Sequence, residues 1–438
     1  MRRLFISSLA LLISACGGGA NSGNDNTDTQ DDKQTQNCTA VAADVNWNAL
    51  LNGNASKLSE YRLFQNPCNP TSEPNARGLA YDLSVPLFTD YASKYRFVFV
   101  PPGEKAQYDA TEAFEFPVGS VLSKTFSLPS DTEDRGFDKE NLIETRLLIK
   151  RDSGWVALPY VWNADKTDAV LTTSGTSVNS VIEHQDQSYS FNYGVPTFAQ
   201  CTTCHQYNPG GNKDYQTDEE GRHLDAQQRY IKTGVNDNWF VVDANGDFIF
   251  DENNQKISSK PVEKESAYFS PIGPKARYLN SDFDYGSGAE NQLQKWISEG
   301  LLSVIDDTSI DSTPTFHDDV SVDSLTLQQL DDNAKAWLDI NCAHCHRLEG
   351  TASNTAFKSD FWSSTHTYDG TCREAVSGAD GAISTIMIPG DAINSLVFHR
   401  LNTTEAGDLM PPLGRALIHQ EGTALIRRWL DTQTGGCP

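Results

Sequence analysis

The five residues CTTCH, Cys201 to His205, occur again in nearly the same form as CAHCH, Cys342 to His346. In each copy two residues separate two cysteines, and a histidine directly follows the second cysteine. Two thiols at this spacing can form two thioether bonds to one planar group, and the adjacent imidazole can bind a metal ion at its centre. The duplication therefore predicts two sites of one kind.

This pattern is the attachment motif of covalently bound haem c. It assigns Cys201 and Cys204 to the vinyl groups of one haem and His205 to its iron. The equivalent residues of the second motif are Cys342, Cys345 and His346. Zinc is the alternative, but it needs about four converging nitrogen or sulfur ligands. Because the motifs are far apart in sequence and each has its own histidine, we expect two covalent haems.

The N-terminal residues, MRRLFISSLALLISAC, have the features of an export signal. Arg2 and Arg3 precede an apolar run, residues 4–13, that is too short to span a membrane by itself. Residues 13–16 resemble a bacterial lipobox, which implies cleavage before Cys16 and lipidation of its thiol. Cleavage at an ordinary signal-peptidase site nearby is the alternative.

Residues 17–37 are almost entirely polar or glycine. Such a segment cannot bury a core and is expected to be a flexible tether. Gly17, rather than Asp, follows the predicted lipidated cysteine, and by resemblance to sorted lipoproteins this favours the outer membrane. We therefore expect a protein that faces the periplasm or the cell surface and touches the membrane only through its lipid anchor.

The remaining cysteines are compatible with an oxidising compartment. Of nine cysteines, one lies in the lipobox and four lie in the two motifs. The four that remain are Cys38, Cys68, Cys372 and Cys437. Three pairings exist for four cysteines, and pairing by region predicts Cys38–Cys68 and Cys372–Cys437.

The chain is strongly acidic, with a formal net charge of -25 and a pI of about 4.6. This balance argues against binding nucleic acid or an anionic membrane face through a basic patch. A redox partner with a basic docking surface is compatible with it. An acidic surface that only keeps the protein soluble is the alternative explanation.

Beyond the tether we expect three segments. Residues 38–195 contain short runs rich in Val, Phe, Tyr and Thr between turn residues, which predicts a β-sandwich or β-barrel. Residues 196–305 are predicted to form the first haem-binding region, and residues 306–438 a C-terminal cytochrome c domain. The predicted fold is thus multidomain, with an all-β domain followed by mixed and mainly α-helical haem domains.

The stretch FVVDANGDFIFDENNQKI, residues 240–257, predicts a β-hairpin that turns at Asn245-Gly246. It also half-resembles a calcium-binding EF-hand loop. The EF-hand-like positions are Asp243, Asn245, Asp247 and Asp251. However, Phe248 stands where such a loop has Gly, and Asn254 where it has Glu. The hairpin is the favoured interpretation, and calcium the alternative.

The C-terminal segment resembles class I cytochrome c. Apolar residues at helical spacing predict helices over residues 325–341, before the second motif, and over residues 419–431, near the chain end. Between them lies DLMPPLG, in which Met410 precedes two prolines, as in the methionine-ligand loop of that family. The resemblance implies that His346 and Met410 are the axial ligands of the second haem. Core packing is the alternative role for Met410.

A wider resemblance covers nearly all of the chain after the tether. The segments YDLSVPLFTDYASKYRFVFVPPG, VPTFAQCTTCH and IGPKARYLN occur in this order. Together with the motifs they resemble a bacterial family of diheme c-type cytochromes of uncertain role, often encoded beside a parallel β-helix repeat protein. The resemblance implies electron transfer with a periplasmic or surface redox partner. It also suggests the β-helix protein as a partner, and it implies no substrate.

The motifs leave the sixth ligand of the first haem open. The candidates are Met387, His184, His223, Lys275 or an iron without a protein ligand on that side. A protein ligand at both irons favours electron transfer, which is the leading hypothesis. An open iron favours a redox enzyme, either peroxidase-like or a small-molecule oxidase, and a binding module is the third hypothesis. No residue is predicted to be catalytic.

Overall fold

The computed structural model describes residues 38–209, 217–218, 221–234, 238–261, 267–304, 307–316, 321–363, 370–379 and 383–437. The predicted signal peptide, Cys16 and the tether lie outside these residues. The described residues belong to one compact unit, Asn37–Pro438. No helix in this part of the chain is both long enough and apolar enough to cross a bilayer.

A six-stranded antiparallel sheet lies at the centre of the fold, in the order β1-β2-β3-β4-β5-β6. Its strands are Gly78–Tyr81 (β1), Ser93–Phe99 (β2), Val121–Pro129 (β3), Glu140–Arg151 (β4), Gly154–Trp162 (β5) and Ala169–Leu171 (β6). Each strand pairs with its neighbour in sequence. Arg151 pairs with Gly154, which leaves Asp152 and Ser153 as a two-residue turn between β4 and β5.

The two faces of this sheet pack against different parts of the chain. Because side chains alternate along a strand, Phe97 and Val98 point to opposite faces. Phe97 packs with the N-terminal segment, in which helix α1 (Trp47–Asn52) contributes the buried Leu50. Val98 belongs to a second core that includes Trp296 from the C-terminal half. The sheet therefore separates two hydrophobic cores.

A long β-hairpin precedes the helix that carries the first motif. It consists of β7 (Thr176–His184) and β8 (Gln187–Val195). Gln185 and Asp186 form its turn with φ of 50° and 59°, as a type I′ turn requires. The chain then enters α2 (Phe198–His205), which contacts β5.

The remaining elements are short, except for the helices α6 and α8. The other helices are α3 (Ala276–Leu279), α4 (Gln292–Ser298), α5 (Asp307–Asp311), α6 (Leu327–Leu338), α7 (Leu396–Leu401) and α8 (Gln420–Thr432). Four two-stranded sheets pair β9 (Gln206–Tyr207) with β12 (Tyr268–Phe269), β10 (Ile231–Thr233) with β11 (Trp239–Val241), β13 (Asp282–Asp284) with β14 (Ala289–Asn291) and β15 (Glu374–Ala379) with β16 (Ile383–Thr385).

The predicted fold class is wrong. The described chain is mainly β and is built on the six-stranded sheet, whereas a mainly α-helical cytochrome region was expected at its C-terminal end. Helices α6 and α8 do form where predicted, but no other described helix is longer than eight residues. The reason is local: the chain between α6 and α8 is rich in Gly, Ser, Thr, Asn and Asp, which favour turns over helix.

The predicted segments also share one core. One hydrophobic cluster contains Tyr81, Ala276 and Trp337, and each of these residues comes from a different one of the three segments. The two disulfides, Cys38–Cys68 and Cys372–Cys437, are those predicted.

The hairpin interpretation of residues 240–257 is confirmed. Val242 pairs with Phe248, and Phe250 pairs with Lys256. The carboxylate of Asp243 accepts the backbone N–H groups of Asn245 and Asp247 at the first turn. Asp251 accepts two backbone N–H groups in the same way at a second turn. Each of these carboxylates therefore stabilises its own turn.

Candidate functional site

The first motif lies on a well-capped helix. Thr197 and Gln200 form a reciprocal capping box at the N-terminus of α2, with backbone-to-side-chain distances of 3.1 and 2.8 Å. All three residues of the motif expected to bind a haem, Cys201, Cys204 and His205, lie on this helix.

His205 is oriented for metal binding. Its Nδ1 lies 2.9 Å from the carbonyl oxygen of Ser270, so Nδ1 is the protonated nitrogen and Nε2 keeps its lone pair. Phe269 stacks on the ring at 6.1 Å. Burial, reinforced by the nearby cations Lys124 and Arg146, lowers the pKa of His205 to about 4. The imidazole is therefore neutral at pH 7, as a metal ligand must be.

A cavity of about 250 Å³ opens beside the first motif. It is bounded by Cys201, Cys204 and His205 on one side and by one face of the central sheet on another. Its lining also includes Leu83, Leu87 and residues 194–196, 271–274 and 413–414.

The described lining of this cavity includes none of the four residues that were candidates for the sixth ligand. His184 stacks on Tyr91 at 3.9 Å, and its Nε2 lies 3.1 Å from Glu421. His223 packs edge-on against a tryptophan. Met387 is buried next to the Cys372–Cys437 disulfide.

The fourth candidate, Lys275, is occupied elsewhere. It lies 3.3 Å from the carboxylate of Asp339, which also accepts from Arg277 at 2.7 Å and from the hydroxyl of Tyr278. All four side chains are buried. Although burial opposes it, Lys275 and Arg277 lower the pKa of Asp339 well below its usual value. The cluster ties α3 to the end of α6, just before the second motif.

The second motif begins where α6 changes its winding. A π-helical turn, Asp339–Ala343, follows Leu338 and carries Cys342. Such turns are frequent at functional sites. Asn341 fixes the turn to the N-terminal part of the chain, because its amide donates to Pro86 O at 2.9 Å and its carbonyl accepts from Phe88 N at 2.8 Å.

His346 has the same arrangement as His205. Its Nδ1 lies 3.1 Å from the hydroxyl oxygen of Thr355, which is placed to donate to the carbonyls of Ala352 and Phe357. With that hydroxyl donating onward, Nδ1 is the protonated nitrogen and Nε2 keeps its lone pair. Burial lowers the pKa of His346 to about 4, so this imidazole is also neutral.

A larger cavity, of about 410 Å³, contains the predicted ligand pair of the second motif. His346 and Met410 both line it, together with Cys342 and Cys345. Arg400 also lines it and is the cation on this wall. The structure thus brings His346 and Met410, which are distant in the chain, to the lining of one cavity.

The loop of Met410 is held by a residue that the sequence analysis did not identify. Arg415 donates to the backbone carbonyls of Met410 at 2.9 Å, Arg400 at 2.8 Å and Leu417 at 3.0 Å. One guanidinium therefore fixes both ends of the loop. A single arginine in "LGRALIH" carries no sequence signal for this role.

The two motifs contact each other. The Sγ of Cys345 lies 3.1 Å from the carbonyl oxygen of Thr203, and the hydroxyl of Thr351 donates to the same oxygen at 2.8 Å. The Cys204 and Cys345 sulfurs and one nitrogen of His344 lie within 4.8 Å of one another. A hydrogen bond between the two thiols raises the pKa of Cys204 and lowers that of Cys345.

These residues fit haem c at both motifs. Each pair of cysteines lines one cavity together with its own histidine, and each histidine offers Nε2. The group of Cys204, His344 and Cys345 would supply three ligands to zinc, which needs about four. That arrangement would leave Cys201 and Cys342 without a role, whereas haem c uses all four thiols.

Comparisons of the chain with protein-family models, with curated proteins and with solved structures found no match.

Proposed function

We propose that this protein is a periplasm-facing diheme c-type cytochrome lipoprotein that transfers electrons between redox partners. The observation that carries the proposal is the contact between the motifs, where the Cys204 and Cys345 sulfurs lie within 4.8 Å of each other. When bound, haem c supplies reversible one-electron chemistry at its iron. Adjacent attachment points are what a protein needs to pass electrons between two such groups.

The chain contributes orientation and shielding. His205 and His346 each direct Nε2 away from a fixed hydrogen-bond partner, Ser270 in one case and Thr355 in the other. Met410 offers a thioether in the second cavity, and Arg415 holds its loop. A thioether ligand favours ferrous over ferric iron, so the second site is the one expected to have the higher potential.

The partners and location follow from charge and the predicted anchor. The net charge of -25 is compatible with a partner that docks through a basic surface. A β-helix repeat protein is one candidate for that partner. The lipobox at Cys16 and the polar residues after it would hold the protein at the outer membrane, facing the periplasm or the cell surface.

The direct test is to count the haems on purified protein. Denaturing gels stained for haem, together with intact mass, should show two covalent haems on the wild type. Replacement of Cys201 and Cys204 by serine should leave one haem, and replacement of Cys342 and Cys345 should leave the other. A wild-type protein that carries zinc and no covalent haem would refute the proposal.

A redox enzyme is the second candidate, and one observation favours it. The second cavity contains Met410, whereas the described lining of the first cavity contains none of the four predicted sixth ligands. A first haem that is high-spin when oxidised, and whose spectrum changes on addition of hydrogen peroxide, would support a peroxidase-like or oxidase activity. A first haem that is low-spin and unchanged by peroxide would leave electron transfer alone.

A further inference from the structure

Three cations form a row on the sheet wall of the first cavity. Arg96 on β2 pairs in register with Lys124 on β3, and Lys124 pairs with Arg146 on β4. Directly paired residues of neighbouring antiparallel strands project to the same face of a sheet. All three residues line the cavity that also contains His205. The row therefore faces the helix that carries the first motif.

The carboxylates on this wall do not balance the row. Arg96 pairs with Asp82, which is half exposed, and Arg146 pairs with the buried Glu144 at 2.6 Å. Glu144 also accepts from the hydroxyl of Tyr193 at 2.9 Å. Among the described ion pairs Lys124 has none, and the contact described for its ammonium group is the Phe126 ring, 5.0 Å away. Glu144 also acts on Lys124, so Asp82 and Glu144 are the two carboxylates described beside these three cations.

The row lines the same cavity as Cys201, Cys204 and His205. Burial and the neighbouring Arg146, Arg96 and Lys94 lower the pKa of Lys124 itself. Like charges placed opposite one another on a sheet are unfavourable. An anion between the row and His205 would remove this repulsion.

We infer that Arg96, Lys124 and Arg146 form a binding site for a small inorganic anion in the cavity of the first motif. The inference rests on the proposed function, because it requires haem on the first motif. With haem held by Cys201, Cys204 and His205, this site would favour an anion with an oxygen or nitrogen donor, such as an oxyanion, over a neutral ligand of the same haem. The propionate groups of the haem carry similar carboxylate chemistry. A propionate is fixed to the haem, however, whereas an inorganic anion binds in proportion to its concentration.

The test uses the full-length, haem-loaded, oxidised protein and two probes. Nitrite carries a negative charge, and imidazole is a neutral ligand of ferric haem. Both are titrated into the wild type, Lys124→Gln and Lys124→Arg, and the Soret band of the first haem is followed. The control is Lys150→Gln, because Lys150 is on β4 but does not line the cavity.

Lys124→Gln should weaken nitrite binding about tenfold, which corresponds to roughly 1.4 kcal/mol. This is the size expected for one charge near an anion at the effective dielectric of a partly buried site. Imidazole affinity should stay within about twofold by the same reasoning, since a neutral ligand gains little from the charge. Lys124→Arg should restore nitrite binding, and Lys150→Gln should bind it as the wild type does.

Several results would overturn the inference. If imidazole binds but nitrite affinity is the same in wild type and Lys124→Gln, the row is not an anion site. If that variant instead only lowers the midpoint potential of the first haem, the row serves the haem propionates. If neither probe changes the spectrum, a protein ligand occupies the sixth position of the first iron. The anion site is then refuted, whereas the electron-transfer proposal is not. If no haem is attached at Cys201 and Cys204, the proposed function fails as well.

Discussion

The sulfur of Cys345 and the carbonyl oxygen of Thr203 are 3.1 Å apart, so the second motif touches the middle of the first. The two residues are 142 positions apart in the chain. The hydroxyl of Thr351 donates to the same carbonyl, so one backbone oxygen of the first motif contacts two residues from the region of the second motif. A charge at one site lies so close to the other that each should affect the other's redox equilibrium.

This contact predicts redox coupling between the haems. The second haem should have a higher midpoint potential when the first is oxidised, because the extra positive charge disfavours a second ferric iron. Spectroelectrochemical titration of the wild type should therefore give a curve broader than a one-electron curve. In the variant with Cys201 and Cys204 replaced by serine, the second haem should follow a simple one-electron curve. Identical behaviour of that haem in both proteins would contradict the coupling.

Met410→Ala should remove the weak red charge-transfer band of a thioether-bound ferric haem and lower the potential of the second haem. The reason is that the sulfur stabilises ferrous over ferric iron. The control is Met387→Leu, because Met387 lines neither cavity in the part of the chain that the structure describes. A band that survives in Met410→Ala and disappears in the control would assign the ligand to Met387.

The buried cluster before the second motif should be important for stability. Asp339→Asn should reduce the free energy of unfolding by roughly 3–5 kcal/mol, because it leaves Arg277 and Lys275 buried without a counter-charge. The control is Glu299→Gln, which breaks a surface pair with Lys295 and should cost about 0–1 kcal/mol. Denaturant titration of both variants compares them. Similar losses of unfolding free energy in the two variants would show that the buried cluster stabilises the fold no more than a surface ion pair does.

The sequence predicted the local features well. The spacing of the apolar residues placed α6 and α8, and the position of the four other cysteines predicted both disulfides. These features depend on residues close together in the chain or on few alternatives. The predicted fold class was wrong because two amphipathic helices beside the second motif were extended to a whole helical domain. Propensity over twenty residues does not report how much of the remaining chain forms strands.

The contacts between distant segments could not be predicted. Nothing in either motif indicates that Thr203 and Cys345 meet, since this depends on how the β7–β8 hairpin and α6 both pack on one core. The cationic row could have been predicted only from the pairing of the strands. Lys124 is the single cation of β3, whereas β2 also contains Lys94 and β4 also contains Lys150 and Arg151, so the three members of the row do not stand out in the sequence. Strand pairing in sequence order, β2 to β3 to β4, would have placed them side by side.

Cys16→Ser should release the protein from membranes into the soluble fraction with its haems attached. The lipobox and the polar residues 17–37 predict that the lipid on Cys16 is the anchor. Cell fractionation with haem staining measures the change. The control is Ser14→Ala, which changes the lipobox but keeps the Cys16 thiol, and this variant should stay with the membrane. Wild-type protein that is soluble without detergent would refute the anchor.

His419 should make the folded state sensitive to acid. The indole N–H of Trp337 donates to its Nδ1 at 3.2 Å, which requires a neutral ring, and Phe88 stacks on it at 4.4 Å. Burial, with smaller contributions from Lys94 and His184, lowers the pKa of His419 to about 3. The unfolded chain, in which histidine has a pKa of about 6.5, therefore binds one more proton than the folded protein between these two values.

Stability from His419 is thus complete above about pH 6.5 and decreases as the pH falls towards about 3, by up to roughly 1.4 kcal/mol per pH unit. His419→Gln keeps a hydrogen-bond acceptor for Trp337 but cannot titrate, so its stability should fall less steeply on acidification. Denaturant unfolding of both haem-loaded proteins from pH 7 to 4 measures the difference in slope. Asp90, whose pKa burial raises to about 6, has the opposite sign but is present in both proteins and cancels. Equal slopes would mean that His419 is already protonated in the fold.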